Sequence, residues 1–292
     1  PASPGFGRTF AIGVALNLCV VAAEAYFGWR TGSLALIADA GHNLSDVGGL
    51  LLAWGAFSAA RLRPDARHTY GWRRGSIMAA LANAMILLFA MGTLAWEAVG
   101  RLQTPASLDA VTVMSVAAAS AVVNALTAWL FLAGSKHDLN VRGAFLHMAG
   151  DALVSMGVVV AGALFLWQGW TWIDPVTSLL IALVIMAGTW SLFRQSLHLL
   201  FDGVPADVQL VAVRRGLLDL PGVQSVHDLH VWAMSTMDYA LTAHLVFEAQ
   251  AADRDEILRQ AIELLRTQFR IRHVSLQCES VEFAQRCMAD PE

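Results

Sequence analysis

Two stretches of this chain combine residue types that apolar surroundings rarely tolerate: His42-Asn43-Leu44-Ser45-Asp46 and His147-Met148-Ala149-Gly150-Asp151. Each reads H-x-x-x-D inside an apolar run of membrane-spanning length. Side chains four residues apart lie on one helix face, one turn from each other. A bilayer-spanning helix tolerates an ionisable side chain poorly, so four of them imply a shared partner. Two imidazoles and two carboxylates form an N/O donor set suited to a divalent transition metal, zinc above all. The pattern implies a metal site within a membrane, and with it transport.

The charge balance of such a site points to the counter-ion. Two aspartates, two neutral imidazoles and one divalent cation sum to zero, and two protons restore neutrality once the metal has gone. Histidine titrates near pH ~6.5, and metal binding requires it deprotonated. Proton-coupled metal exchange is the expectation. One His–Asp pair alone could equally be an intrahelical hydrogen bond, but two such motifs at matching depth on helices of opposite direction favour a shared site. Asp39, one turn before His42 and on nearly the same face, is either an access or supporting group for that site or a hydrogen-bond partner of a neighbouring helix. Glu24, Glu97, Asn17, Asn83 and Asn124 are expected to make interhelical hydrogen bonds or to sit at the interfaces.

The elements that must hold these residues follow from composition. The 292 residues are 57% hydrophobic and 14% charged, far below the roughly 25% charge of a soluble domain. Six apolar runs lie near 8–29, 33–60, 75–101, 107–134, 140–168 and 172–200, each long enough to span. Short connections make consecutive helices antiparallel. Trp29, Trp72, Trp167, Trp170 and Trp172 fall near the ends of the runs, where indoles anchor at interfaces. Nine basic residues (Arg8, Arg61, Arg63, Arg67, Arg73, Arg74, Lys136, Arg142, Arg194) fall on one side and two (Arg30, Arg101) on the other. That asymmetry places both termini in the cytoplasm. The chain begins at Pro1, which leaves room for a preceding segment, and Phe10–Trp29 reads as a span, not a signal peptide. A net charge of −4 with no basic stripe argues against a nucleic-acid partner. Cys19, Cys278 and Cys287 are widely spaced and read as buried free thiols.

Beyond Gly203 no run of spanning length follows. Asp207–Leu220 reads as an amphipathic helix, Val223–Trp232 and Asp238–Phe247 as alternating strands, Asp253–Phe269 as a second helix and His273–Val281 as a third strand. This αββαβ order suits a small α+β domain with its helices on one sheet face. The division is residues 1–202 as a six-helix transmembrane domain and 203–292 as a cytosolic domain for metal binding and dimerisation. His227 and His244 lie on adjacent strands, where cross-strand pairing can join them. His230 and Trp232 share strand parity with each other but not with His227.

The stretches SLALIADAGHNLSDVGGLLLAWGA, RLRPDARHTYGWRR, NVRGAFLHMAGDALVSMGVVVAGA and DGVPADV…LPGVQSVHDLHVWAMS resemble the cation diffusion facilitator family. The resemblance is strongest to its bacterial zinc/cobalt/cadmium efflux branch and to vertebrate zinc transporters. It covers essentially the whole chain. It implies six transmembrane helices, a metallochaperone-like cytosolic domain, a homodimer embedded in membrane lipid, and export of zinc from the cytoplasm in exchange for protons by alternating access, with cadmium and cobalt as further cargo. A multi-pass protein of a bacterial inner membrane is implied as well. His42, Asp46, His147 and Asp151 match the family's transport site, with His at the first position the zinc-favouring version. Asp65, His68 and position 72 match a loop metal site of some members, but Trp72 removes a ligand here, and Asp65 and His68 otherwise belong to a solvated basic loop. His227, His244 and Glu279 match a cytosolic regulatory zinc site. That cluster is thinner than in relatives, with Ile257 and Gln277 where histidines are common; His273 lies near, and Cys287 is a further possible thiolate. Between the fourth and fifth runs only His137 stands in place of the histidine-rich loop of vertebrate members.

An enzyme is not expected. An intramembrane metalloprotease would need H-E-x-x-H, which the chain lacks. The remaining alternative is a membrane-embedded metal sensor acting through a partner.

Overall fold

The computed structural model describes residues 4–60, 64–104, 109–132, 139–248 and 254–289. Six long helices come first: α1 (Pro4–Thr31), α2 (Leu34–Ala60), α3 (Gly75–Gln103), α4 (Ala110–Leu132), α5 (Leu139–Gln168) and α6 (Ile173–Leu200). Among the described residues, four helical stretches are long and apolar enough to cross a membrane: 75–103, 110–130, 145–168 and 173–200. Large apolar side chains such as Phe89, Trp96 and Leu153 point outward, as expected where the surroundings are lipid. Trp29 and Trp167 are also exposed, near the ends of α1 and α5. The ends of the expected fourth run, at 107–108 and 133–134, and His137 lie outside the described residues.

Contacts divide the chain into two compact units, one of residues 1–51 with 82–192 and one of residues 52–81 with 193–292. In the first, Leu34, Leu36, Met91, Val113, Val158 and Ile181 belong to one core. Gly28 lets α1 approach α2 closely, since a Cβ there would lie 3.1 Å from the Leu36 Cβ and 3.2 Å from the Ile37 nitrogen. The start of α2 is held by Asp174 of α6, whose carboxylate accepts the Ser33 hydroxyl (2.8 Å) and the Leu34 N–H (3.3 Å). Those bonds satisfy groups that a helix start leaves unpaired. Asp109 caps α4 by accepting the Thr112 N–H and hydroxyl, and these bonds hold its carboxyl below the ordinary range.

The second unit carries α7 (Leu210–Leu218), β1 (Val223–Ala233), β2 (Tyr239–Phe247), α8 (Arg254–Gln268), β3 (Ile271–Ser280) and α9 (Val281–Ala289). The sheet order is β1-β2-β3, antiparallel between β1 and β2 and parallel between β2 and β3, with α8 as the crossover. Val213, Leu217, Ile257 and Leu265 pack with Leu241 and Leu245 in one core, so α7 and α8 cover a single sheet face. The structure adds α9 to the αββαβ order and starts β3 at Ile271, ahead of the expected His273. One expectation is corrected: Cys19 and Cys278 are free but exposed. Cys278 lies on an edge strand, and Cys19 on an outward face of α1.

A second correction concerns β1. His227 pairs with His244, but His230 pairs with Thr242 and Trp232 with Ala240, because a bulge intervenes. Asp228, in the left-handed region at φ 49, sits in that bulge. An inserted residue reverses the alternation beyond it, so His230 and Trp232 share the face of His227.

Candidate metal centres

The membrane cluster is built by α2 and α5. Their opposed directions bring His42 and Asp46 against His147 and Asp151, each His about 12 Å along its helix from the helix start. The closest approach is His147 Nε2 to Asp46 Oδ2 at 3.0 Å. His42 Nε2 lies 3.7 Å from both Asp46 Oδ2 and Asp151 Oδ1, and His147 Nε2 lies 3.7 Å from Asp151 Oδ2. The two imidazoles stand edge to face with centroids 5.8 Å apart. Ligand atoms of His42, Asp46 and His147 fall within 4.8 Å of one another. Donors around tetrahedral zinc sit roughly 3.3 Å apart, as bonds of about 2.0 Å require, so small side-chain movements close the set on an ion.

Hydrogen bonding alone does not account for this cluster. Asp46 Oδ2, Asp151 Oδ2 and His42 Nδ1 are buried without a hydrogen-bond partner among the described residues, the short Asp46–His147 approach being out of line for one. Buried polar atoms in native proteins are nearly always paired, and a cation would satisfy both carboxylate oxygens at once. The four residues border a cavity of about 450 Å³ whose lining includes Asn83, Leu146, Thr189 and Leu192. Those residues lie toward the ends where α3 and α5 begin and α6 finishes. Exposure grades accordingly: side chains of His147 and Asp46 are 41% and 33% exposed, that of Asp151 5%.

Of the alternatives open for Asp39, the geometry shows a bond to a neighbouring helix: Ser155 of α5 donates to its Oδ2 at 2.8 Å. Asn83 accepts the Ser45 hydroxyl (3.3 Å), and Glu97 pairs with Arg101 (2.6 Å). The side chain of Asn17 lies outside the described residues.

In the loop before α3, Asp65 accepts the backbone N–H groups of His68 and Arg67, which hold its carboxyl below the ordinary range. His68 stands 3.3 Å from that carboxylate, and its ring lies against Trp72 with centroids 4.4 Å apart. An indole, which offers no metal-binding atom, thus lies against the imidazole.

The second cluster lies on the sheet face opposite α7 and α8. Glu279, fully buried, reaches His227 Nε2 with Oε2 at 2.9 Å and His244 Nδ1 with Oε1 at 3.0 Å. Ligand atoms of the three residues fall within 4.8 Å of one another. Gln277 donates to Glu279 Oε1 (2.7 Å). His244 Nδ1 is buried and misaligned for a hydrogen bond, so this donor set also fits a metal. The sequence reading missed Asp228. The bulge brings its carboxylate 3.4 Å from His244 Nε2 and 2.8 Å from His230 Nε2, and the His230 bond keeps its carboxyl below the ordinary range. An Asp flanked by histidines was the available signal, hidden by the assumption of unbroken strand parity. His273 stands apart, packed on Tyr70 with centroids 5.2 Å apart. The side chain of Cys287 lies outside the described residues.

Comparison with known proteins gives two family matches: "Cation efflux transmembrane domain" over residues 10–201 and "Cation efflux protein, cytoplasmic domain" over 205–281. The chain is 35% identical to the metal cation efflux system protein CzcD of Cupriavidus metallidurans, covering 98% of this chain and 92% of that one. It is 36% identical to the zinc transporter ZitB of Escherichia coli (92% and 86% covered). It is 34% identical to the cadmium, cobalt and zinc/H(+)-K(+) antiporter of Bacillus subtilis (88% and 84%). Among solved structures, the metal-bound C-terminal domain of the CzcD transporter matches at 38% identity, covering 25% of this chain and 99% of its own, with a TM-score of 0.24.

Proposed function

This chain belongs to the cation efflux family of membrane transporters, and from that premise we propose that it exports zinc from the cytoplasm in exchange for protons. The observation that carries the reading is the convergence of two His–Asp pairs from antiparallel α2 and α5 on one point, with carboxylate oxygens left without a hydrogen bond among the described residues. His42, Asp46, His147 and Asp151 hold the cargo. Cadmium and cobalt, named for relatives, are further cargo, because a site with two carboxylates retains affinity for other divalent ions.

All six long helices span the membrane, with both termini cytoplasmic. The cavity beside the ligands then faces the cytoplasm, the side from which cargo is loaded. Metal enters deprotonated ligands, the helices rearrange so that the site faces the other side, and protons replace the metal on release. Each state keeps the site near neutrality, which limits the cost of burying charge in the bilayer. Residues 1–202 form the transport domain, and residues 203–292 form a cytosolic domain through which two copies pair. Zinc at His227, His244 and Glu279, with Asp228 beside them, regulates that pairing.

The test is metal-dependent proton flux in sealed liposomes containing the full chain, compared across zinc, cadmium, cobalt and manganese. Zinc should move protons most strongly. Absence of metal-dependent flux with all four ions would overturn the transport reading.

A further inference from the structure

The membrane unit buries a second polar cluster that the metal ligands do not use. Glu24 of α1, Asp39 and Asn43 of α2, Ser120 of α4 and Ser155 of α5 are each no more than 1% exposed. Asn43 Nδ2 donates to Glu24 Oε2 (3.3 Å), Ser155 donates to Asp39 Oδ2 (2.8 Å), and the Ser120 and Ser155 hydroxyls pair at 3.1 Å. Each carboxylate therefore has one oxygen served. The other oxygens, Glu24 Oε1 and Asp39 Oδ1, are buried without a hydrogen-bond partner among the described residues, as is Asn43 Oδ1.

Asp39 is the strongest charged neighbour of Glu24, and neither pairs with Lys or Arg among the described residues. Two ionised carboxylates side by side in an apolar interior combine two desolvation costs with mutual repulsion. One proton removes a charge and supplies the O–H donor that the unpaired oxygens lack. The titratable groups around the pair are His42 on α2 and Asp151 on α5; α4, which contributes Ser120, carries no Asp, Glu, His, Lys or Arg.

The position of the pair gives that proton a role. Asp39 precedes His42 by about one turn of α2, and Ser155 follows Asp151 by about one turn of α5. The helices run oppositely, so both are displaced from the ligands toward the same end, where α1 finishes and α2 begins. The cavity at the ligands extends toward the other end. We propose that Glu24 and Asp39 form a proton-holding carboxylate pair, distinct from the metal ligands, through which protons from the non-cytoplasmic side join the exchange. This rests on the metal-for-proton reading above. A proton from water binds a carboxylate oxygen of the pair as the metal departs. It returns to water when cargo reoccupies the ligands one turn away, and no other bond changes.

The test uses the full chain, as wild type, Glu24→Gln and Asp39→Asn, in sealed liposomes. Zinc-for-zinc counterflow, which needs no proton, is measured beside uphill zinc accumulation driven by an imposed pH gradient. Both variants should keep counterflow within about twofold of wild type and lose gradient-driven accumulation by about tenfold, a usual size for coupling between linked sites. Near wild-type accumulation in both would overturn the proposal, and so would loss of counterflow, which would make the pair scaffold. Accumulation driven by a potassium gradient in wild type and lost in Glu24→Gln would assign the oxygens to an alkali cation and overturn the proton. If wild type accumulates zinc with neither gradient, the exchange reading itself has failed, and the proposal falls with it.

Discussion

Asp151 reaches both histidines of the membrane cluster, at 3.7 Å each, and is the most buried of the four proposed ligands. Asp151→Ala removes one carboxylate and leaves a divalent cargo with excess positive charge in a low-dielectric setting. Zinc flux should fall to background while membrane insertion and the thermal unfolding profile stay close to wild type; flux near the wild-type rate would place the site elsewhere. His42→Asp replaces an imidazole by a harder, more flexible and charged ligand. Competition assays should then show cadmium gaining on zinc by about tenfold or less, since one ligand contributes only part of the selectivity; an unchanged ratio would remove His42 from the ligand set. That these four side chains meet was legible, because two His–Asp pairs, each one turn apart in an apolar run, call for a shared partner. Asp228 was not legible, since its approach to His244 depends on a backbone bulge that no side-chain pattern announces.

At the scale of elements, the long helices could be read closely because apolar composition accumulates over some 20 residues, and their ends fell within a few residues of the runs. The short elements were harder. Nine residues of α9 directly follow a strand with no turn-forming residue between, and half a sheet period was misplaced by one inserted residue. The contact of α1 with α2 at Gly28 was also invisible in the sequence, because it depends on how the helices pack. Gly28→Ala puts a methyl against the Leu36 side chain and α2 backbone at 3.1 and 3.2 Å. Overpacking of this kind costs about 1–3 kcal/mol. The midpoint of thermal unfolding in detergent should drop by several degrees, and an unchanged midpoint would mean that α1 and α2 yield freely there.

For the whole molecule, carrying the ion and sensing it belong to different parts of the chain under the proposed function. In the proposed scheme the transported ion would pass between α2 and α5, while the cytosolic cluster would respond to how much zinc is present. A ligand shifts an equilibrium only by its differential affinity for the two states, so zinc at the sheet-face cluster would tune pairing of two copies without lying on the route. The double substitution His227→Ala with His244→Ala should blunt the rise of flux with cytosolic zinc and leave basal flux measurable. Complete loss of flux, with protein amount and insertion normal, would put these histidines on the transport path. The most direct test of the central claim is zinc uptake by sealed liposomes containing the full chain, with a pH gradient imposed and then collapsed by a proton ionophore. Zinc accumulation above equilibrium should appear with the gradient and vanish on its collapse; accumulation that persists unchanged would contradict exchange of metal for protons at the His42, Asp46, His147 and Asp151 site.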